Sequence, residues 1–246
     1  MIRRRLRELG QWLDDRLGVS KVLGPVLRHH VPADAKWWYV FGSATLAAFL
    51  VQILSGVTLA FSYVPSAGQA YDTLQFITND AAFGRFMRGL HYFGASAMVL
   101  MVGVHALQTF LFGAYKYPRE MTWLIGVLLL ALGLLEGFTG YLLPWDQTAY
   151  WATTVGININ GTGPFIGPFL AQFLQGGRYI NSETLSRFYS LHMLVLPGAI
   201  IALISLHVWL VIRLGVTSPP WSKEAAGLGP RPGDPSTNGR GDTDGS

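Results

Sequence analysis

The sequence predicts an all-α membrane protein with a bundle of four transmembrane helices. Half of the 246 residues are hydrophobic, 13% are charged, and the charged residues are nearly absent from four long blocks. This pattern is typical of membrane proteins, and about 20 apolar residues suffice for one crossing of a bilayer. The four predicted spans are Trp37 to Tyr63, Gly89 to Phe112, Met121 to Leu143 and Tyr189 to Ile212.

The composition of these blocks favours helices over strands. The blocks are continuous and rich in Leu, Ala and Val, whereas the strands of a membrane β-barrel alternate apolar and polar residues. Residues 37–71, 89–115 and 188–212 contain no Asp, Glu, Lys or Arg, and residues 121–145 contain only Glu136 among these types. A helical bundle is therefore the predicted fold.

The segments on either side of the membrane domain, residues 37–212, have a different composition. In residues 1–36, leucines recur every three to four positions among Arg and Asp residues, at Leu6, Leu9, Leu13 and Leu17. This spacing predicts an amphipathic helix that lies on the membrane surface or, equally, packs against a partner. Residues 213–246 are rich in Gly, Pro, Ser, Thr and Asp, which predicts a disordered tail.

The positions of Lys and Arg predict the orientation of the spans. Residues 1–36 contain eight of them, Lys116 and Arg119 lie in the short connection after the second span, and Arg213 and Lys223 follow the fourth. Such residues are enriched on the cytoplasmic side of membranes. Both termini are therefore predicted to lie on the cytoplasmic side of a bacterial cytoplasmic membrane. These residues explain the net charge of +4, so we expect contact with membrane lipid and no nucleic-acid partner.

The connection between the third and fourth spans contains two short helical patterns. Residues 148–159 and the run from Pro164 to Leu174 are amphipathic. They are predicted to form short helices that lie along the non-cytoplasmic membrane surface and cover an apolar pocket.

Four of the six histidines lie inside the predicted spans. His91 and His105 are fourteen residues apart in the second span, and His192 and His207 are fifteen apart in the fourth. A helix advances about 1.5 Å and about 100° per residue, so each pair falls on roughly one helix face. The second and fourth spans run in the same direction. His91 should therefore face His192 near the non-cytoplasmic side, and His105 should face His207 near the cytoplasmic side.

Haem iron explains these matched histidines better than the alternatives. A single buried histidine is usually a structural hydrogen-bonding residue, but two pairs at matching depths need a common explanation, because unpaired polar groups are costly in a membrane. Zinc sites usually collect three or four protein ligands rather than two. The sequence therefore predicts two haems, each held by two histidines. Because the chain contains no cysteine, neither haem can be attached through a thioether bond.

Glycines on the other two spans repeat the histidine spacing. Gly42 and Gly56 are fourteen residues apart in the first span, as are Gly126 and Gly140 in the third. Glycine would allow a porphyrin to approach the backbone closely, although membrane helices also use glycine for ordinary packing.

Two arginines lie near the non-cytoplasmic ends of the histidine-bearing spans. Arg88 precedes His91 by three residues, and Arg187 precedes His192 by five. Each could meet a haem propionate, or could equally anchor its helix at the membrane interface.

Three motifs resemble the N-terminal half of cytochrome b. They are RGLHYFGAS around His91, GYLLPWDQTAYW from Gly140 to Trp151, and TLSRFYSLHMLVLP from Thr184 to Pro197. The resemblance runs from about Val31 to Pro219, and the longer second histidine spacing and the motif PREMTW make it most similar to the split cytochrome b6 form. It implies two non-covalent b-type haems, a low-potential one at His91 and His192 and a high-potential one at His105 and His207.

The resemblance also implies a quinone site and partner subunits. A quinol oxidation site would lie at the loop after the third span, which begins with Pro144, Trp145 and Asp146. A separate subunit would supply the remaining helices of cytochrome b, and a Rieske iron–sulfur protein and a c-type cytochrome or similar acceptor would complete a homodimeric complex. Val40 occupies the position of the cysteine that binds an additional covalent haem in photosynthetic relatives, so no covalent haem is expected.

Glu136 departs from the family pattern. An ionised carboxylate inside a span is costly unless it is paired or hydrated. Two hypotheses follow, proton transfer near the quinol site and a neutral carboxyl group hydrogen-bonded to a helix.

The predicted function is that of a dihaem cytochrome b subunit in a quinol-oxidising Rieske/cytochrome b complex. Electrons would pass from quinol through the two haems to quinone on the cytoplasmic side, and the chain would be active only with its partner subunits. The histidine spacing also fits a dihaem anchor that passes electrons between quinone and a peripheral dehydrogenase or reductase. A transporter or a purely structural subunit would leave the matched histidines unexplained.

Overall fold

The computed structural model describes residues 2–21, 24 and 36–222, and every regular element in these residues is a helix. Lys223 and most of the tail lie outside the described residues, as does much of the stretch between 22 and 35. In chain order the elements are α1 (Ile2–Leu17), a 3-10 turn (Trp37–Tyr39), α2 (Val40–Ala60), α3 (Ala70–Asn79), α4 (Gly84–Leu111), α5 (Glu120–Leu142), α6 (Gln147–Gly161), α7 (Gly167–Gln175), α8 (Ser182–Ser190), a π-helical segment (Leu191–Val195) and α9 (Leu196–Leu214).

The predicted all-α membrane fold is confirmed. The described residues contain four helical stretches that are long and apolar enough to cross a membrane, namely Trp37–Ala60, Gly84–Leu111, Glu120–Leu142 and Ser182–Leu214. In the most apolar 18-residue stretch of each helix, between 6% and 17% of the residues are buried inside the protein. Most of the apolar surface of these helices is therefore available to lipid.

The observed ends of the spans differ from the predicted ends. The first helix ends at Ala60 rather than Tyr63, and the second begins at Gly84 rather than Gly89. The fourth begins seven residues early, at Ser182, because Asn181 starts a helix there. Its side chain accepts hydrogen bonds from two backbone N–H groups of the first turn, while the Thr184 hydroxyl accepts one from the Asn181 N–H. Such a capping box begins a helix where hydrophobicity gives no signal.

The connection between the third and fourth spans contains the two short helices that the sequence predicts. Asp146 caps the first, α6, by accepting a hydrogen bond of 2.8 Å from the Ala149 N–H. The second, α7, ends at Gly176, whose φ of 76° is a left-handed conformation that favours glycine. Helix α3 between the first two spans was not predicted. The shared core of α5, α6, α7 and α8 contains Leu142, Ile157, Leu174 and Phe188.

The described residues divide into two compact units. The larger unit contains residues 38–108 and 124–205. In it, Phe49 of α2, Met98 of α4 and Ile200 of α9 form a second buried cluster, against which Leu129 and Leu132 of α5 pack. These contacts place all four spans around one apolar core within the larger unit.

The smaller unit includes residues 109–123 and 206–222. The Arg119 guanidinium closes the end of α9, donating to the carbonyl oxygens of Leu214, Gly215 and Val216 at 3.2, 3.0 and 3.4 Å. The last carbonyls of a helix have no partner within the helix, so a cation that donates several hydrogen bonds stabilises that end.

We expect Arg119→Ala to loosen the last turn of α9. The Gly215 N–H, which donates to the Val211 carbonyl at 2.9 Å, should exchange its hydrogen about tenfold faster, corresponding to about 1.4 kcal/mol. Hydrogen–deuterium exchange in detergent measures this change. Lys116→Ala, an exposed substitution in the same connection, is the control, and equal exchange in both variants would contradict the assigned role.

Candidate functional site

The structure brings His91 and His192 together. His91 lies on α4, His192 lies on the π-helical segment, and their ring centroids are 6.1 Å apart with the ring planes at 84°. Both residues belong to the larger compact unit. This is the pair that the direction of the spans predicts near the non-cytoplasmic side.

The Nδ1 atom of His91 is held by the neighbouring helix. It lies 3.0 Å from the Oγ of Ser55 on α2. The same hydroxyl donates to the Val51 carbonyl at 2.6 Å, so it accepts from the histidine. His91 therefore carries its hydrogen on Nδ1, and its Nε2 keeps a free lone pair.

The Nδ1 atom of His192 faces three oxygen atoms of α5. They are the Thr139 hydroxyl at 3.1 Å, the Glu136 carbonyl at 3.1 Å and the Glu136 Oε1 at 3.2 Å. A carbonyl oxygen only accepts hydrogen bonds, so here too the hydrogen lies on Nδ1 and the lone pair on Nε2. A histidine that binds a metal usually donates its other ring N–H in this way, which fixes the orientation of the ring.

Three of the four predicted glycines make room for the histidine rings. A Cβ added to Gly56 would lie 3.1 Å from the Cε1 of His91, and one added to Gly42 would lie 3.1 Å from the Cε1 of His105. At Gly140 the corresponding distance to His192 is 2.6 Å. The sequence pattern predicts that these glycines admit a porphyrin or serve ordinary helix packing. In the structure, the imidazole ring of the adjacent span occupies the space beside each of them.

The backbone has an unusual contact beside His91 and an irregular turn at His192. With its amide oriented to satisfy both of its polar atoms, buried Gln52 donates to the His91 carbonyl at 2.8 Å and accepts from the Ala95 N–H at 3.1 Å. In a regular α-helix these two backbone groups would bond to each other. His192 lies in a π-helical turn, which ends just before Pro197. Proline lacks an N–H and its ring clashes with the carbonyl four residues earlier, so a wider turn relieves the clash.

The two predicted arginines have protein partners. The Nη1 of Arg88 donates to the Thr78 hydroxyl of α3 at 2.8 Å. The Arg187 guanidinium lies 5.1 Å from the ring centroid of Phe173 on α7. Contact of either arginine with a haem propionate stays a prediction.

The loop after the third span is held in a fixed conformation. Trp145 has a φ of 52°, which is rare for a residue with a side chain, and Asp146 caps α6. The Tyr63 hydroxyl donates to the Leu143 carbonyl at 2.6 Å, and its ring lies 5.5 Å from that of Tyr189. Burial raises the pKa of Tyr63 above its usual range, so the phenol stays protonated and remains a donor at neutral pH.

The donor atoms suit an iron porphyrin better than a free metal ion. Within the described part of the chain, no group of three or more His, Cys, Asp or Glu side chains is placed to hold a metal ion. Two imidazoles that bind one metal from opposite sides have centroids about 6.4 Å apart, given metal–nitrogen bonds of about 2.0 Å and about 1.2 Å from nitrogen to centroid. The observed 6.1 Å agrees with this arrangement, so His91 and His192 fit a haem.

Comparison with known proteins shows the family. A sequence model described as cytochrome b/b6/petB matches residues 26–215. The chain belongs to the cytochrome b/b6 family. The resemblance identified from the motifs is thereby confirmed, and so is an integral-membrane, electron-transfer protein of a family that binds b-type haem.

Individual relatives agree with this membership. The chain is 38% identical to the menaquinol:cytochrome c reductase cytochrome b subunit of Geobacillus thermodenitrificans, over 87% of this chain and 99% of that subunit. It is 39% identical to the cytochrome b6 of Heliobacterium modesticaldum, over 85% of this chain and 99% of that protein. A solved chain of a hyperthermophilic respiratory Complex III matches with a TM-score of 0.76 and 31% identity. That match covers 85% of this chain and 56% of the solved chain.

Sequence reasoning missed three residues of this cytochrome b site. Ser55 and Thr139 bind the Nδ1 atoms of the paired histidines, and Gln52 binds the backbone beside His91. A signal for the first two was present, because each directly precedes a predicted glycine, in Ser55–Gly56 and Thr139–Gly140. The neighbouring helix thus presents a hydroxyl group and a space for the ring at adjacent positions.

We expect Gly140→Ala to lower the haem b content of the purified protein. The added methyl group would overlap the His192 ring and cost about 1 to 3 kcal/mol through overpacking. Gly56→Ala should have a smaller effect, because its Cβ would be 3.1 Å rather than 2.6 Å from the ring. The measurement is haem b per polypeptide from reduced-minus-oxidised spectra.

Gly137→Ala is the matched control on the same helix, since a Cβ there meets nothing within 4 Å. If Gly140→Ala and Gly137→Ala kept the same haem content, the steric argument would be wrong.

Proposed function

We propose that this chain is the dihaem cytochrome b subunit of a quinol-oxidising Rieske/cytochrome b complex. The observation that supports this most directly is the pair His91 and His192, whose rings are 6.1 Å apart. Both Nδ1 atoms are engaged by a neighbouring helix. His91 and His192 would therefore hold the haem iron through their Nε2 atoms.

The second haem would be held by His105 and His207. These histidines follow His91 and His192 by fourteen and fifteen residues, so they would form a second pair nearer the cytoplasmic side. Gly42 leaves space for the His105 ring as Gly56 does for the His91 ring. Gly126 would leave space beside the second haem on the third span. A pair of haems at two depths would let electrons cross most of the membrane.

Bound haem would supply reversible one-electron oxidation and reduction, and the chain would supply placement. Ser55 and Thr139 orient the imidazoles through Nδ1, while the glycines let the spans approach closely enough for the rings to fit. The apolar helices exclude water from this level. The protein thereby fixes the ligand geometry without forming a covalent bond to the cofactor.

Quinol oxidation would take place beside the loop of Pro144, Trp145 and Asp146. This loop directly follows the helix that carries Gly140, the glycine beside the His192 ring, which supports a quinol site close to the first histidine pair. The strained Trp145 backbone and the Tyr63 hydrogen bond keep it rigid, as a binding loop on a fixed scaffold requires. Quinone reduction would take place near His207 and Arg213. A proton-relay role of Glu136 stays a prediction.

The relatives support the proposed assembly. One is named a subunit of menaquinol:cytochrome c reductase and another a respiratory Complex III. We therefore propose a Rieske iron–sulfur protein, a c-type cytochrome or similar acceptor, and a separate subunit with the C-terminal half of cytochrome b, in a homodimeric complex. The membrane would be a bacterial cytoplasmic membrane, with both termini on the cytoplasmic side. Membership of the cytochrome b/b6 family disfavours the dihaem anchor alternative.

Replacing each membrane histidine with leucine tests the pairing. We expect His91→Leu and His192→Leu to lose the same haem, which is half of the b-type absorbance, and to keep the other haem. His105→Leu and His207→Leu should lose the other half, because each haem would be held by both histidines of its pair. Redox titration of the absorbance of the intact complex identifies which haem is missing.

His29→Leu, outside the predicted spans, is the control and should keep both haems. Loss of different haems in His91→Leu and His192→Leu, or a full haem content in either, would contradict the proposed ligands.

A further inference from the structure

Helix α1 leaves an apolar face exposed. Its four leucines, which the sequence places three to four residues apart, are between 37% and 66% exposed. At about 100° per residue, the other three lie within about 40° of Leu13 around the helix axis. They therefore form one continuous surface, the apolar face of α1. The leucines are Leu6, Leu9, Leu13 and Leu17.

This helix needs an external surface to be stable. It has 16 residues, with Gly10 near its centre, and from Arg3 to Leu17 every residue except Asp14 is exposed. A helix of this length is marginal in water by itself, because most helical stability comes from packing of an apolar face, and an internal glycine weakens it further. The apolar face of α1 is therefore a binding surface.

Arginines border the apolar face on both edges. Arg3 lies about 80° from Leu13 on one side of the helix. Arg5 and Arg16 lie about 80° and about 60° from it on the other side. The Arg16 guanidinium is 4.4 Å from the ring centroid of exposed Trp12. Arginine and tryptophan beside an apolar strip are typical of helices at a membrane interface, where long cationic side chains reach the headgroups.

The carboxylates of α1 are kept away from these arginines. Glu8 and Asp15 lie about 140° and about 160° from the centre of the apolar face. Glu8 pairs with Arg4 at 2.9 Å on that far side. The Asp14 carboxylate accepts hydrogen bonds from the N–H and hydroxyl of Ser20 at 2.5 and 2.7 Å. Among the described residues, none of the three border arginines pairs with a carboxylate. The apolar face and its borders are therefore apolar and positively charged.

We propose that the apolar face of α1 and its border arginines bind anionic phospholipids at the surface of the membrane that the four spans cross. The leucines enter the boundary between headgroups and acyl chains, and the arginines donate paired hydrogen bonds to phosphate groups. One arginine near an anionic membrane surface contributes about fivefold in affinity. Three unpaired arginines therefore make the binding depend on lipid charge. Haem is not needed for this binding.

The test is hydrogen–deuterium exchange of α1 in the intact complex in two kinds of nanodisc. One kind contains phosphatidylcholine alone, and in the other part of this lipid is replaced by anionic phosphatidylglycerol. An undocked α1 should exchange rapidly, because the helix is marginal in water. We expect its amides to exchange at least about fivefold more slowly in the anionic discs. Added salt should reduce this protection, because ions screen exposed charges.

Arg5→Gln should speed the exchange of α1 in the anionic discs about fivefold. Glutamine is a long side chain that suits a helix but carries no charge. Arg4→Gln is the matched control, since it removes the same charge from the adjacent position on the far side of the helix, and it should keep most of the protection.

Equal protection of α1 in the two kinds of disc would overturn the proposal, because a protein subunit or neutral lipid would then cover the apolar face. Rapid exchange in both kinds would overturn it as well. An equal loss of protection in Arg4→Gln and Arg5→Gln would contradict the assigned role of the border arginines. The haem content should be the same in every sample, so these results are distinct from those that test the histidine pairs.

Discussion

A histidine inside a membrane span must have partners for both ring nitrogens, and much of this structure follows from that constraint. Water is absent from the hydrocarbon, so an unpaired ring nitrogen would be costly. Ser55 and Thr139 satisfy the Nδ1 atoms of His91 and His192 from the adjacent helices. The Nε2 atoms are then left for the proposed haem iron. This explains why a hydroxyl residue and a glycine occur side by side on both helices that face the histidines.

Ring placement also shapes the backbone. The fourth span has a π-helical turn at His192 and the second has the Gln52 amide between two of its backbone groups. The Gln52 amide provides partners for the His91 carbonyl and the Ala95 N–H in an apolar environment. Regular helices would keep the fourteen- and fifteen-residue spacings without controlling how the rings meet. Irregular turns are common at functional positions of helices for this reason.

The site is chemically asymmetric, although its glycine and hydroxyl residues repeat. A carboxyl group contacts only one of the two paired histidines among the residues that the structure describes. The rigid loop after Leu142 directly follows α5, the helix that carries this carboxyl group, so α5 connects the histidine environment to the proposed quinol site.

The sequence by itself determined the number of membrane spans, the histidine spacing and three of the glycine positions that the structure places beside histidine rings. These features depend on apolarity and helical periodicity, which are local properties of the chain. The predicted fourth span starts at Tyr189 because Glu183 and Arg187 lower the hydrophobicity of residues 182–188, where the Asn181 cap nevertheless begins the helix. Only the tertiary structure showed that Glu136, Thr139 and Gln52 contact the histidines or their backbone. Such contacts depend on the rotation of one helix against another, which packing decides and no single segment encodes.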